Sequence, residues 1–133
     1  MNGAVVKVYS LARNGADKVA AHFRVREFAC QDGSDVVFIA PALAEVLEQI
    51  RVHFGKPVTV NSGYRTVSHN KKVSGSATSQ HLYGMAADIV VAGVAPAKVA
   101  AYAETLLKST GGIGIYSGFT HIDVRAAKSR WNG

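Results

Sequence analysis

A chain of 133 residues, 48% of them hydrophobic, has the length of one domain and the apolar share of a packed core, which argues against general disorder. Fifteen Lys and Arg against nine Asp and Glu give a formal net charge of +6, which favours polyanionic partners without choosing among nucleic acid, anionic lipid and cell wall. The basic residues are scattered, with Lys71-Lys72 the densest cluster, so no nucleic-acid partner is expected, and no run reaches the ~18 apolar residues of a membrane span.

The amino-terminal MNGAVVKVYSLARNG has neither a long apolar stretch nor a small-residue cleavage site. The expectation is a soluble protein, cytoplasmic as synthesised, forming a single domain over 1–133. A lone cysteine, Cys30, excludes an internal disulfide and reads as a buried, inert thiol.

Ala4–Tyr9 predicts a short strand, and turn signals fill the stretch from Asn14-Gly15 to Ser34. From Pro41 to Phe54, Leu43, Val46, Leu47 and Ile50 recur at helical steps, with Pro41 placed for the first turn and Gly55 as a stop. Lys56–Ser62 reads as a strand leading into Gly63-Tyr64-Arg65. Thr66–Met85 shows no clean period, with at most a helical turn at Asn70–Val73; a long irregular stretch in a small domain is more often functional than idle. Ala87–Val91 is a buried-type strand. Pro96–Leu107 is a second helix, turned inward on Val99, Tyr102, Ala103, Leu106 and Leu107, and closed by Gly111-Gly112. Gly112–Tyr116 and Phe119–Arg125 flank the two-residue turn Ser117-Gly118 as a hairpin. The fold class is α+β, with a mainly antiparallel sheet and flanking helices.

In the return strand, Thr120, Ile122 and Val124 share one face while Phe119, His121, Asp123 and Arg125 share the other. The ionisable face is either a solvated surface or a ligand-bearing one. Imidazole is an uncommon choice for the first and the commonest metal ligand near neutral pH. A second cluster lies in Ser79–Asp88, where His81 precedes Asp88 by seven residues and Gly84 with two alanines lets the backbone turn and pack closely. Asp88 opens the apolar run Ile89-Val90-Val91, where a carboxylate needs a partner. A local cap with an exposed His81 is the plain alternative. Taken together, His81, Asp88 and His121 form a two-histidine, one-carboxylate set suited to zinc with an open fourth position, which activates water and polarises a carbonyl. Facial-triad iron is the competing metal, since His121-Ile122-Asp123 has its H-x-D spacing.

Ser79-Gln80-His81-Leu82-Tyr83-Gly84-Met85-Ala86-Ala87-Asp88 matches every position of S-x-H-x-x-G-x-A-x-D. The chain thereby resembles the zinc D-Ala-D-Ala carboxypeptidases, relatives in fold of the lysostaphin-type peptidases and the Hedgehog signalling domain. Asn61-Ser62-Gly63-Tyr64-Arg65 and Phe119-Thr120-His121-Ile122-Asp123 extend the resemblance over roughly Phe28 to Trp131, and the late H-I-D is similar to the short branch found in phage lysis proteins and bacterial wall hydrolases. The resemblance implies that His81, Asp88 and His121 ligate Zn2+, and that Arg65 meets a substrate carboxylate or carbonyl oxygen, which suits a planar guanidinium. Ser79, Gln80 and Tyr64 are expected at the substrate or in its supporting loop.

One departure bears on mechanism. Many members of that family carry a carboxylate or histidine two or three positions before the last ligand as general base, and here those positions are Phe119 and Gly118. Asp123 is the substitute, as base, as a partner that orients His121, or as an ion-pair acceptor for Arg125. His69 is a further candidate base, while His22 and His53 read as surface or packing histidines.

The leading expectation is a monomeric zinc peptidase, D-Ala-D-Ala carboxypeptidase-like or endopeptidase, that cuts peptidoglycan stem peptides or cross-links after release or export to the wall. The alternative is a catalytically silent zinc domain that recognises cell wall or a protein partner. A nucleic-acid-binding domain would leave the ten-residue motif unexplained.

Overall fold

The computed structural model describes residues 5–133, so Ala4, the first residue of the expected opening strand, lies outside it. Strand β1 (Lys7–Ser10) leads into a one-turn helix α1 (Leu11–Asn14), capped by the Ser10 hydroxyl accepting from Arg13 N–H. The stretch that reads as turns in the sequence holds a small hairpin, β2 (Lys18–Ala20) with β3 (Phe23–Arg24), and a 3₁₀ turn at Val25–Phe28. These strands are too short for alternation to register as a pattern. Strand β4 (Val36–Ile39) pairs antiparallel with β1.

Helix α2 (Pro41–Phe54) has the expected bounds, ending where Gly55 adopts a left-handed conformation at φ 63°. Strand β5 (Val58–Ser62) follows, then helix α3 (Val67–Lys72), whose amino terminus is capped by Thr66 Oγ1 accepting from His69 N–H. The irregular middle of the sequence is therefore partly helical. Strand β6 (Ala86–Val91) precedes helix α4 (Pro96–Leu107), which has the expected bounds but is closed by Lys108, at φ 56°, and not by the glycine pair. Strands β7 (Gly112–Ile115) and β8 (Thr120–Asp123) form the expected hairpin. The last strand, β9 (Ser129–Asn132), has no counterpart in the sequence reading. Its Ser-Arg-Trp-Asn run carries no apolar alternation, and its pairing with β7 makes it a strand.

The principal sheet has the order β5-β6-β8-β7-β9, antiparallel throughout except for the parallel β7–β9 pair. This is the α+β, mainly antiparallel architecture expected. Helices α2 and α4 pack on each other and on the sheet, burying Leu43, Leu47, Ile50, Val99 and Ala103 against Ile89, Ile113 and Ile122. Tyr102 and Leu106, expected inside, stay only partly buried at the rim of this core. Cys30 is buried, as expected.

Three register pairs position the site. Asp88 on β6 lies directly across from His121 on β8, and His121 lies directly across from Gly114 on β7. Gly112 likewise faces Asp123.

Candidate active site

His81, Asp88 and His121 meet from three parts of the chain, each less than one-tenth exposed, and one ligand atom from each lies within 4.8 Å of the others. Asp88 and His121 come together as cross-strand partners. His81 arrives on a 3₁₀ turn, Gln80–Tyr83, whose first N–H groups are steadied by the Ser79 hydroxyl accepting from His81 N–H at 3.2 Å. The turn ends at Gly84, at φ 71°, where a Cβ would lie 2.3 Å from the Phe38 carbonyl oxygen. Only glycine satisfies both the conformation and the space there.

The Ser-Gly-Tyr-Arg segment divides its duties by side chain. Gly63 presents its carbonyl to His81 Nδ1 at 2.7 Å, so that nitrogen donates and leaves Nε2 facing Asp88 Oδ2 at 3.3 Å. Tyr64 turns into the core and packs on Phe38 with ring centroids 4.7 Å apart, where burial pushes its phenol up. Arg65 turns to the site. Its Nε donates to Ser62 Oγ at 3.1 Å, its Nη1 donates to Asn70 Oδ1 at 3.2 Å, and its Nη2 lies 3.5 Å from Asp88 Oδ2.

His121 has a carboxylate on each side, Asp88 Oδ1 at 3.0 Å from Nδ1 and Asp123 Oδ2 at 2.8 Å from Nε2. Burial works against the imidazolium, but the hydrogen bonds to Asp123 and Asp88 outweigh it and hold the His121 pKa above its ordinary value. Asp88 is buried too, which would raise its carboxyl, yet hydrogen bonds from His121 and His81 hold it well below the usual carboxylate range. Asp123 is fully buried, and both its oxygens are engaged by Arg125, through Nε at 2.9 Å and Nη2 at 2.7 Å. Here as well burial is overcome, by His121 first and Arg125 next, and the carboxyl stays depressed. A solvated outer face is thus excluded for His121 and Asp123, while Arg125 is partly buried beside them. The ionisable face of β8 lies inside the molecule because β7 opposes it with glycines. A Cβ at Gly112 would stand 2.1 Å from Asp123 Oδ2, and one at Gly114 would stand 2.5 Å from the Trp131 ring.

The three residues open onto a cleft of about 480 Å³. One wall is the polar rim Ser74, Gly75, Ser76, Thr78, Ser79 and Gln80; the other is aromatic, with Tyr116, Phe119 and Trp131 beside Arg125. Tyr116 and Phe119 stack at 4.4 Å, Trp131 Nε1 donates to Tyr116 Oη at 2.9 Å, and Trp131 lies 5.0 Å from the His121 ring. Arg65, Ser79, Gln80, His81, Asp88 and His121 line this cleft; Tyr64, His69 and Asp123 do not. Tyr64 is excluded because the core takes its ring, and Asp123 because the sheet encloses it. His69 sits part-buried on α3, away from the lining. His22 pairs with Glu48 and His53 stacks on Tyr102, so both are surface or packing histidines.

Sequence reasoning missed the aromatic wall and Asn70. The Gly-Ile-Gly alternation of β7 is the signal that could have revealed the first, since two small residues on one face make room for large ones opposite. Asn70 gave no signal of its own.

Each imidazole thus offers one nitrogen toward Asp88 while an acceptor holds its other nitrogen, the arrangement of histidines that bind a metal with a supporting partner. A donor set of two imidazole nitrogens and a carboxylate oxygen is of the catalytic zinc type, and the neighbouring cleft leaves room for a further ligand.

A model of the family described as Peptidase M15 matches residues 20–123. A zinc D-Ala-D-Ala carboxypeptidase of Streptomyces albus G is 53% identical over 34 residues, which are 26% of this chain and 13% of that protein. The match therefore covers only a small part of that relative's length.

Proposed function

This chain belongs to the peptidase M15 family, and we propose that it is a zinc peptidase hydrolysing peptidoglycan stem peptides or their cross-links, acting as one domain and as a monomer. The observation that carries the reading is the convergence of His81, Asp88 and His121 at the floor of a cleft that Arg65 also enters. His81 through Nε2, Asp88 through its carboxylate and His121 through Nδ1 would hold the metal. Zinc supplies Lewis-acid polarisation of a carbonyl and a nucleophilic water at neutral pH when bound.

The rest of the chemistry belongs to the chain. Gly63 and Asp123 fix the direction of the two imidazoles, and Asp123, fully buried and already shared with Arg125, serves as an orienting partner rather than as a proton acceptor in the cleft. Arg65 meets the substrate's carboxylate or scissile carbonyl oxygen with a preorganised fork. The Ser79 hydroxyl holds the loop of His81, and Gln80 offers an amide to the peptide backbone.

Digestion of purified sacculi, with released muropeptides identified by mass spectrometry, tests this reading and names the bond. Wild-type protein with zinc should release peptide products and His121→Ala should not. Arg65→Lys should retain zinc but lose much of the rate, because a point charge cannot rebuild a bidentate contact. Intact sacculi after prolonged treatment with zinc-loaded protein would overturn the catalytic reading.

One observation favours a second reading. Among the described residues, the cleft lining holds no carboxylate or imidazole beyond the three putting their ligand atoms together. A catalytically silent zinc domain that recognises cell wall fits that lining, and it predicts binding to sacculi without product release.

A further inference from the structure

The polar residue beside the cleft that this reading leaves without a duty is Asn70, which is 3% exposed. An amide so enclosed needs partners at both ends. Its Oδ1 accepts from Arg65 Nη1 at 3.2 Å, and its Nδ2 donates to the Ser76 carbonyl at 2.8 Å. A guanidinium only donates and a carbonyl only accepts, so the amide fits one way round. The backbone is equally committed. Asn70 N–H donates to the Thr66 carbonyl at 2.9 Å, and Gly75 N–H donates to the Asn70 carbonyl at 2.8 Å.

The rim closes tightly over this amide. Ser74, at φ 58°, turns the chain back after α3, and Gly75 then passes so close that a Cβ on it would lie 2.1 Å from Asn70 Oδ1 and 3.0 Å from Arg65 Nη1. Gly75 does not have a positive φ, so its glycine is needed for space and not for conformation. Rim, amide and guanidinium form one connected unit.

We propose that Asn70 is a positioning residue that sets the direction of the Arg65 guanidinium in the cleft, held in turn by Gly75 and Ser76 of the rim. The proposal rests on the reading of Arg65 as the substrate-contacting arginine. Ser62 fixes the Nε edge of the guanidinium and Asn70 fixes the Nη1 end, so the remaining edge faces Asp88 and the cleft. Without the amide, the guanidinium can rotate about its stem, and misplacement of a contact group on the order of 1 Å can cost ~10²-fold in rate.

The test compares wild type, Asn70→Ala, Gly75→Ala, Arg65→Ala and the double variant Arg65→Ala/Asn70→Ala. The measurements are zinc content by elemental analysis, kcat/KM on a soluble stem pentapeptide ending in D-Ala-D-Ala, and the Arg65 Nε–H signal by ¹⁵N NMR. Asn70→Ala and Gly75→Ala should keep about one zinc per chain, lose kcat/KM by about tenfold or more, and shift or broaden the Arg65 signal. In the Arg65→Ala background, Asn70→Ala should add little further loss, since a residue acting through another is non-additive with it. Gly75→Ala removes no hydrogen-bonding group and carries the test if Asn70→Ala does not fold. An equal loss in both backgrounds, or an Arg65 signal unchanged in Asn70→Ala and Gly75→Ala, would overturn the proposal. Should wild type leave the pentapeptide intact, that substrate reading fails, while the NMR comparison still decides the positioning role.

Discussion

The imidazoles of His81 and His121 are both held by the nitrogen that faces away from Asp88, one by a backbone carbonyl and one by a carboxylate. If these residues are the ligands, His81→Ala and His121→Ala should each lose most bound zinc in elemental analysis, and full occupancy in both would rule the set out. Asp123 separates two roles by what its loss does. Asp123→Asn removes the charge that orients His121 and pairs with Arg125, so zinc affinity should fall by roughly 10–100-fold and activity should recover when zinc is added. Stability should fall by about 1–3 kcal/mol, because charged hydrogen bonds to a buried carboxylate are lost. A general base would behave in the opposite way, with zinc retained and turnover reduced at every zinc concentration. Chelator competition and turnover on the same variant tell the two apart.

At the scale of elements, β7 shapes the site together with the strands that carry Asp88 and His121. Its glycines stand in register with Asp123 and His121, and their missing side chains are the volume that Asp123 and Trp131 occupy. Gly112→Ala would drive a methyl group into the Asp123 carboxylate. It should therefore lower zinc affinity in the manner of Asp123→Asn although it changes no polar group, with an overpacking cost of about 1–3 kcal/mol. Equal zinc affinity in Gly112→Ala and wild type, measured by competition with a chelator, would show that Asp123 does not act on the site. The 3₁₀ turn that carries His81 depends on a glycine of the other kind, since Gly84 needs its left-handed conformation as well as its small size.

Over the whole molecule, the amino-terminal segment is tied to the body by Asp35. One carboxylate oxygen accepts from Ala12 N–H at 2.8 Å and the other from the Ser10 hydroxyl at 2.7 Å. The Ala12 N–H first, then the Ser10 hydroxyl, hold this carboxyl below its ordinary 3.8. A depressed carboxyl contributes stability that is present above the unfolded value and is lost as pH falls through the folded one. Asp35→Asn should thus lower Tm at neutral pH, and the gap to wild type should shrink as pH drops below 3.8. Thermal melts from pH 7 to the acid limit check this, and a gap constant across that range would mean that the carboxylate charge is not what matters.

Local order in the chain was enough to reveal the two long helices and the sheet class, and the family resemblance carried by the surrounding motifs singled out His81, Asp88 and His121. Helical spacing, a proline at the start of each helix and the fixed spacing from Ser79 to Asp88 are short-range facts, and a residue's neighbours in sequence largely decide them. Most of the remaining features depend on contacts between segments separated in the chain. Strand β9 exists through pairing with β7, and Tyr64 leaves the cleft because Phe38, 26 positions earlier, offers it a packing partner. The role of Asp123 stayed open between base, orienting partner of His121 and ion-pair acceptor for Arg125, because alternation shows which face a side chain takes but not what lies opposite. Asn70 was silent for a different reason: its partners Arg65 and Ser76 are close in sequence, but they meet it only through the irregular rim that folds back after α3, which shows no periodic pattern. Hydrogen bonding and exclusion of volume decided those places, and neither leaves a periodic trace in the chain.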